Sequence, residues 1–527
     1  MKVFQNDDDA QFDSNSRSKS SVLNSRFILT YGDTICVAIV GILSLLRLPE
    51  PLWGDQALFM VGGEAIRNGA VLYRDFWDVK PPGIFGAYTL AGTLFGFSGV
   101  GMHVLDVLWM GALGLMLRLT LARYFARSWI AILLPWMAVG LYLSVIQPND
   151  QMQVESLVGL PIYTLVWCTW MAVKQPEHRS RWLFLSGVAG GVVLLFKLIF
   201  LPFIAGFWLV YLLHSLMRQR QSFVSAVGHL IVPVTLGILM PIVPVMIYWA
   251  SQGMLGEIYY TLVQHPARMV KELPSKPISE FMSTSVGWFK RSFPLLVLAS
   301  LAGARLWKRM DFLMIQMVVW LGLGLTVISV QTLSWWAYHF FLFLVPMTVL
   351  AGKGIEVALQ SAHAKWGRVV VAIALAVLLV LNVRAIVKTG YAMTRSGLPI
   401  NPENLLAYQK RISPLYSSLV NEAQWVNAPG RVPGAIYVIG NPTLYVLSHR
   451  TQAIAFLGWI PGMMLREQWA IVEKQLDQAR PVYLYIERND VKSIPLEFWT
   501  FVNRVYKPSQ ETQEGTWYEL ISQRPTG

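Results

Sequence analysis

What constrains this chain most is the recurrence of long segments that are apolar on every face. Segments 27–46, 230–249, 312–330 and 369–381 show no polar stripe, and a helix apolar all round is buried in protein or lies in lipid. Most reach the roughly 20 residues that carry a helix across about 30 Å of hydrocarbon. Segments of this kind recur near 27–46, 98–117, 129–146, 155–173, 182–196, 198–213, 230–250, 293–305, 312–330, 336–352 and 369–388. They are too many to form one buried core. Only 14% of residues are charged, against about 25% in a soluble domain, too few to cover a soluble surface of this size. The expected fold is therefore an all-α polytopic membrane protein with about eleven transmembrane helices.

The formal charge of +13 does not point to nucleic acid, because the cations are split into short clusters between the apolar runs. Arg118, Arg123 and Arg127; Lys174, Arg179 and Arg181; Arg218 and Arg220; Arg305, Lys308 and Arg309; and Lys353, Lys365 and Arg368 all fall on one side, with only Glu177, Asp311 and Glu356 as acids. Excess Lys and Arg mark the cytoplasmic side. The polar, Ser- and Asp-rich segment 1–26 then reads as a disordered cytoplasmic tail ahead of a signal anchor, not a cleaved peptide. An odd number of spans puts the C-terminal region outside. Residues 27–388 form the membrane domain, with a first outer loop at 47–97, and residues 389–527 form a separate unit. That unit has ordinary charge density, apolar stretches at 435–439 and 482–486, and a helix-like stretch at 462–477, which predicts a small extracytoplasmic α/β domain. Cys36 and Cys168 lie inside apolar runs and read as packing residues, not a disulfide framework.

Chemistry concentrates in the loops. The first outer loop holds Asp55 and Gln56, then an amphipathic helix with Leu58, Val61, Ala65 and Ile66 on one face, ended by Gly69. The stretch Tyr73-Arg74-Asp75-Phe76-Trp77-Asp78-Val79-Lys80-Pro81-Pro82 follows, then a second short helix over 83–97. Two interfacial helices there would roof a membrane-level cavity. A second polar cluster, Gln147 to Glu155, opens the fourth span, and polar groups near membrane depth usually line a cavity. The outer loop 251–292 holds Tyr259, Tyr260, His265, Arg268, Lys271 and Lys276. Its cations lie on the side that disfavours them, which points to an anion. No metal-ligand cluster stands out among the eight histidines, no cofactor is expected, and neither a nucleotide-sugar Asp-x-Asp pair nor a phosphate-binding Walker loop is present.

An acid after the first span, a short helix and a Tyr-x-Asp-x-x-x-x-Lys-Pro-Pro stretch resemble the dolichyl-phosphate-mannose protein mannosyltransferases. The likeness is closer to their bacterial relatives, the lipid A aminoarabinose transferases, within the membrane-embedded C class of glycosyltransferases. The stretch 338–346, with Tyr338, His339 and Pro346, resembles the late span of that family. Gln56 stands where the protein mannosyltransferases carry a second acid, and His339 where relatives often carry Arg. The resemblance implies an inverting transferase that takes a sugar from a polyprenyl-phosphate carrier in the inner (plasma) membrane and passes it to a lipid, glycan or protein acceptor. Asp55 would be the base, assisted by Asp150. Lys80, with Arg74, Lys197, Arg268 and Lys271, would hold the donor phosphate. Gln56, Asp75, Asp78, Glu155, Tyr259, His265 and His339 would face sugar or acceptor. Two rival classes are a flippase or other transporter of lipid-linked sugars, which should show inverted repeats and interrupted helices, and an O-antigen polymerase or ligase. The polar residues cluster in outer loops rather than at the midplane, which favours the transferase.

Overall fold

The computed structural model describes residues 19–218, 220–306, 310–360 and 364–521. Of the expected N-terminal tail, residues 1–18 lie outside the described residues, as do Lys308 of the basic loops and Arg309 beside it. Among the described residues, eight helices are long and apolar enough to cross a membrane: Gly99–Thr120, Val154–Lys174, Pro176–Phe196, Leu198–Met217, Phe223–Ser251, Phe312–Ser329, Ala337–Gln360 and Lys365–Ser396. Trp129–Val145 and Phe293–Gly303 are apolar but shorter, and the first expected span lies within the helix Lys19–Arg47. All eleven expected segments are thus helical, eight of them at full spanning length.

The helices are not equivalent. In Ala337–Gln360, 83% of the most apolar window is buried inside the protein, against 17% in Phe223–Ser251. The former is the axis and the latter a peripheral helix whose side chains face outward. The axis enters through a 3-10 turn, Ala337–Phe343. Its threefold pitch turns successive side chains about 120° apart, so neighbouring residues there serve different partners.

The first loop forms its two short helices, Asp55–Arg67 and Pro82–Phe95. The first ends as expected: Gly69 takes φ 96°, its N–H reaches the Ile66 carbonyl at 3.0 Å and the Ala70 N–H the Ala65 carbonyl at 2.9 Å, a glycine C-cap that satisfies orphan carbonyls. Its buried face differs from the amphipathic reading. Asp55, Gln56, Leu58, Phe59, Met60, Gly62 and Gly63 are buried, while Val61, Ala65 and Ile66 are only half-buried. Close helix approach explains the difference. A Cβ on Gly63 would sit 2.9 Å from the Thr89 nitrogen, and one on Gly62 would sit 2.8 Å from the Phe85 ring. Two glycines therefore let the second helix dock where the pattern put no apolar residue.

The C-terminal unit is α/β. Its sheet has strands β1 (Ile436–Ile439), β2 (Tyr483–Glu487), β3 (Tyr506–Glu511) and β4 (Gly515–Leu520), in the order β1-β2-β4-β3. β1 and β2 are parallel, connected through the helix Arg466–Ala479, and β4 adds antiparallel to β2. The last transmembrane helix continues to Ser396, eight residues past the expected boundary. The domain sits against the first loop. The Trp77 N–H donates to the Ala455 carbonyl at 2.9 Å, and Trp77 stacks on Phe456 at 4.4 Å.

Candidate active site

Asp55 is the first residue of its helix, where exposed backbone N–H groups and the helix dipole favour a negative charge. It is buried at 8% exposure, yet three groups from distant parts of the chain converge on it. The Trp459 indole N–H donates to Oδ1 at 2.6 Å. The Tyr338 hydroxyl donates to Oδ2 at 3.2 Å. The Lys80 ammonium stands 3.8 Å from Oδ2.

Local structure sets Lys80. Tyr73 adopts φ 74°, and its hydroxyl donates to the Lys80 carbonyl at 2.8 Å. Asp78 Oδ1 accepts the Lys80 backbone N–H at 2.9 Å. Pro81 and Pro82 then fix the entry into the second helix. The ammonium lies 3.9 Å from Asp78 Oδ1 and 5.0 Å above the Phe59 ring. Both carboxylates are beyond hydrogen-bond length, so the cation is attracted but not bound. Burial works against its charge, but Asp55, Asp78 and Glu155 outweigh it and raise the Lys80 pKa. The Asp78 carboxyl is itself raised, by burial before any other cause and against the pull of Lys80.

Beside this pair lies a second one. Lys197 donates to Glu155 Oε1 at 2.8 Å and to Gln331 Oε1 at 2.8 Å. His339 Nε2 stands 3.7 Å from the same Glu155 oxygen. Asp150 is buried and accepts from Asn149 Nδ2 at 3.4 Å. Burial pushes its carboxyl up to about 6, Asp55 adds to the rise, and Arg291 opposes it. Gln56 is fully buried but turned away from Lys80. It donates to the Pro148 and Gln151 carbonyls at 2.9 and 2.8 Å, which pins the 148–151 turn against the Asp55 helix.

Of the residues expected at the site, the structure gathers Asp55, Lys80, Asp78, Glu155, Lys197 and His339, with Asp150 and Gln56 alongside. Others fall elsewhere. Arg74 and Asp75 pair with each other at 2.9 Å and are largely exposed. Arg268 is held by Glu272 and by Glu467 of the C-terminal domain, so its charge fastens that domain to the helix His265–Glu272. Lys271 and Tyr259 are exposed. His265 is buried edge-on against Trp77 at 5.1 Å, and burial lowers its pKa. Sequence reasoning gave no role to Tyr338, which stood in the quoted late-span stretch, or to Gln331, Arg291 and Trp459. Trp459 lies 404 positions from its partner, and no local signal could have paired them.

No protein-family model and no curated protein sequence matches the chain. Solved structures do. ArnT from Cupriavidus metallidurans bound to undecaprenyl phosphate superposes with a TM-score of 0.63 at 13% identity, covering 93% of this chain and 98% of that one. The same protein in the apo state gives 0.62 at 12% identity, covering 92% and 97%. The archaeal oligosaccharyltransferase AglB from Archaeoglobus fulgidus, in complex with an inhibitory peptide and a dolichol-phosphate, gives 0.45 at 12% identity, covering 95% and 75%. The chain thus has the fold of ArnT, and the resemblance of its first loop to the membrane-embedded C-class glycosyltransferases agrees with that fold.

Proposed function

We propose that this chain is an inverting glycosyltransferase, moving a sugar from a polyprenyl-phosphate carrier to a hydroxyl acceptor at the outer face of the cytoplasmic membrane. The observation that carries this reading is the Asp55–Lys80 arrangement: a buried carboxylate and an uncommitted ammonium 3.8 Å apart. An acceptor hydroxyl needs a base as it attacks. Asp55 takes its proton while the oxygen forms a bond to the anomeric carbon. On the opposite side the bond from that carbon to the phosphate oxygen breaks, and its electron pair leaves with the carrier phosphate. One displacement inverts the anomeric centre. Lys80 offsets the charge growing on that phosphate, and fixed charges count for more in a partly dry site. Asp150 supports the base, and Glu155, Lys197 and His339 shape the adjoining wall. Eleven helices cross the membrane, with the N-terminus cytoplasmic and the C-terminal domain outside. The fold shared with ArnT, whose solved form holds undecaprenyl phosphate, supports the donor class.

The test is mass spectrometry of envelope glycans and polyprenyl-phosphate sugars from a strain lacking the protein. One polyprenyl-phosphate sugar should accumulate while one sugar disappears from a lipid, glycan or protein. Unchanged profiles would overturn the reading, and a reporter fused after Asn401 that reads as cytoplasmic would overturn the orientation.

A further inference from the structure

We propose that Trp459, on a loop of the C-terminal domain, is a positioning residue for Asp55, so that the domain completes the catalytic site it covers. The inference rests on the reading of Asp55 as base.

Three observations support it independently. The indole N–H meets Oδ1 at 2.6 Å, while Oδ2 is the oxygen that faces Lys80 and Tyr338. Gly54, next to Asp55, is shaped to the ring: a Cβ there would lie 2.8 Å from Trp459 Cζ2. Gly54 has φ 51°, which glycine adopts without steric cost. Ile460, directly after Trp459, holds φ 53°. That conformation is a genuine outlier for a β-branched residue, and such strain persists only where the surroundings enforce it. The loop is enforced from the other side by Trp77, whose backbone binds Ala455 and whose ring stacks on Phe456.

The chemistry follows from the donor. A carboxylate held at one oxygen cannot rotate about its Cβ–Cγ bond, so its other oxygen keeps a fixed aim. An indole N–H suits this role because it donates one hydrogen bond, accepts none and does not titrate near neutral pH. It orients the base without competing for the acceptor proton.

The test uses the full-length protein in nanodiscs with the polyprenyl-phosphate sugar that accumulates in the deletion strain. Trp459→Phe keeps a ring on Gly54 and removes the N–H. It should lower kcat about tenfold or more and leave the donor KM within about twofold. Trp459→His, which keeps a ring N–H, should retain more activity than Trp459→Phe. A packing role alone predicts the reverse order, and that order, or an unchanged kcat in Trp459→Phe, overturns the proposal. If Trp459→Phe melts early, the Phe and His variants are compared below both melting temperatures, and the order still decides. Asp55→Asn separates the two claims. If it stays active, the base reading fails. If it is inactive while Trp459→Phe behaves as wild type, only the role of Trp459 fails.

Discussion

Two carboxylate–lysine pairs stand side by side in this protein and are built to opposite ends. Glu155 and Lys197 meet at 2.8 Å, and Gln331 takes a further ammonium hydrogen at 2.8 Å. Asp55 and Lys80 stop at 3.8 Å, with the carboxylate held by an indole and a phenol rather than by the lysine. Both pairs combine a well-buried acid with a lysine that is 22–23% exposed. Burial therefore cannot explain the difference. A closed pair resists opening because separation leaves a charge unpaired in a low-dielectric setting. An open pair can accept a third charged group between its members without breaking a bond first. The first is closed, and the second leaves its ammonium without a direct hydrogen bond to the acid, which is the feature that the proposed reaction uses.

The largest effect should come from the open pair's acid. Asp55→Asn keeps the shape and removes the proton acceptor, so turnover should fall by about 10²–10⁴-fold with binding of the proposed polyprenyl-phosphate donor largely retained. Wild-type turnover in that variant would erase the contrast between the pairs. The closed pair should fail differently. Lys197→Ala strands Glu155, which is only 1% exposed, and should cost about 3–5 kcal/mol of stability, read as a lowered melting temperature. If Lys197→Ala keeps its stability but raises the donor KM, the closed pair is a phosphate site after all.

A smaller loss is expected at Lys80. Lys80→Ala should raise the donor KM and lower kcat together, by about ten- to a hundredfold in kcat/KM, or roughly 1.5–3 kcal/mol. The acceptor KM should stay put. Lys80→Arg keeps the charge in a different geometry and should be intermediate. A donor KM unchanged in Lys80→Ala would reduce this lysine to an interfacial anchor.

The smallest effect concerns a third carboxylate, held by an amide. The Asp150 carboxyl is raised by burial from 3.8 to about 6. A folded value above the unfolded one favours the protonated folded form, so this contribution is complete below about pH 4 and is lost as pH rises through 6. Asp150→Asn should therefore gain up to roughly 2 kcal/mol relative to wild type at pH 7, with the difference vanishing below about pH 4. A stability difference that does not vary with pH would place the strain elsewhere.

Much of the scaffold was legible in the sequence because hydrocarbon imposes a single solution: an apolar run of sufficient length becomes a helix. The glycine stop at Gly69, the Lys-Pro-Pro turn and the strand–helix–strand order around β1 and β2 were readable for similar local reasons. The hairpin of β3 and β4 was not, since β3 carries Pro508 and has a largely exposed middle, without the alternation that marks a strand. Among the cations of loop 251–292, Arg268 pairs with Glu272 four residues on and also with Glu467, 199 positions away, a partner that no local pattern announces. Asp55 could be picked out from its place after the first span, but its environment could not, because Tyr338 and Trp459 arrive from 283 and 404 positions downstream.

That last separation has a consequence for how the protein is made. Chains emerge N-terminus first at about 5–20 residues per second, so Asp55 enters the bilayer tens of seconds before the ribosome reaches Trp459, 404 residues later. Throughout that interval the nascent protein holds its carboxylate without the indole hydrogen bond to it. On the role proposed for Trp459, full turnover then waits for the C-terminal domain to be made and docked, so a chain stalled before residue 459 would hold its base without the contact that orients it.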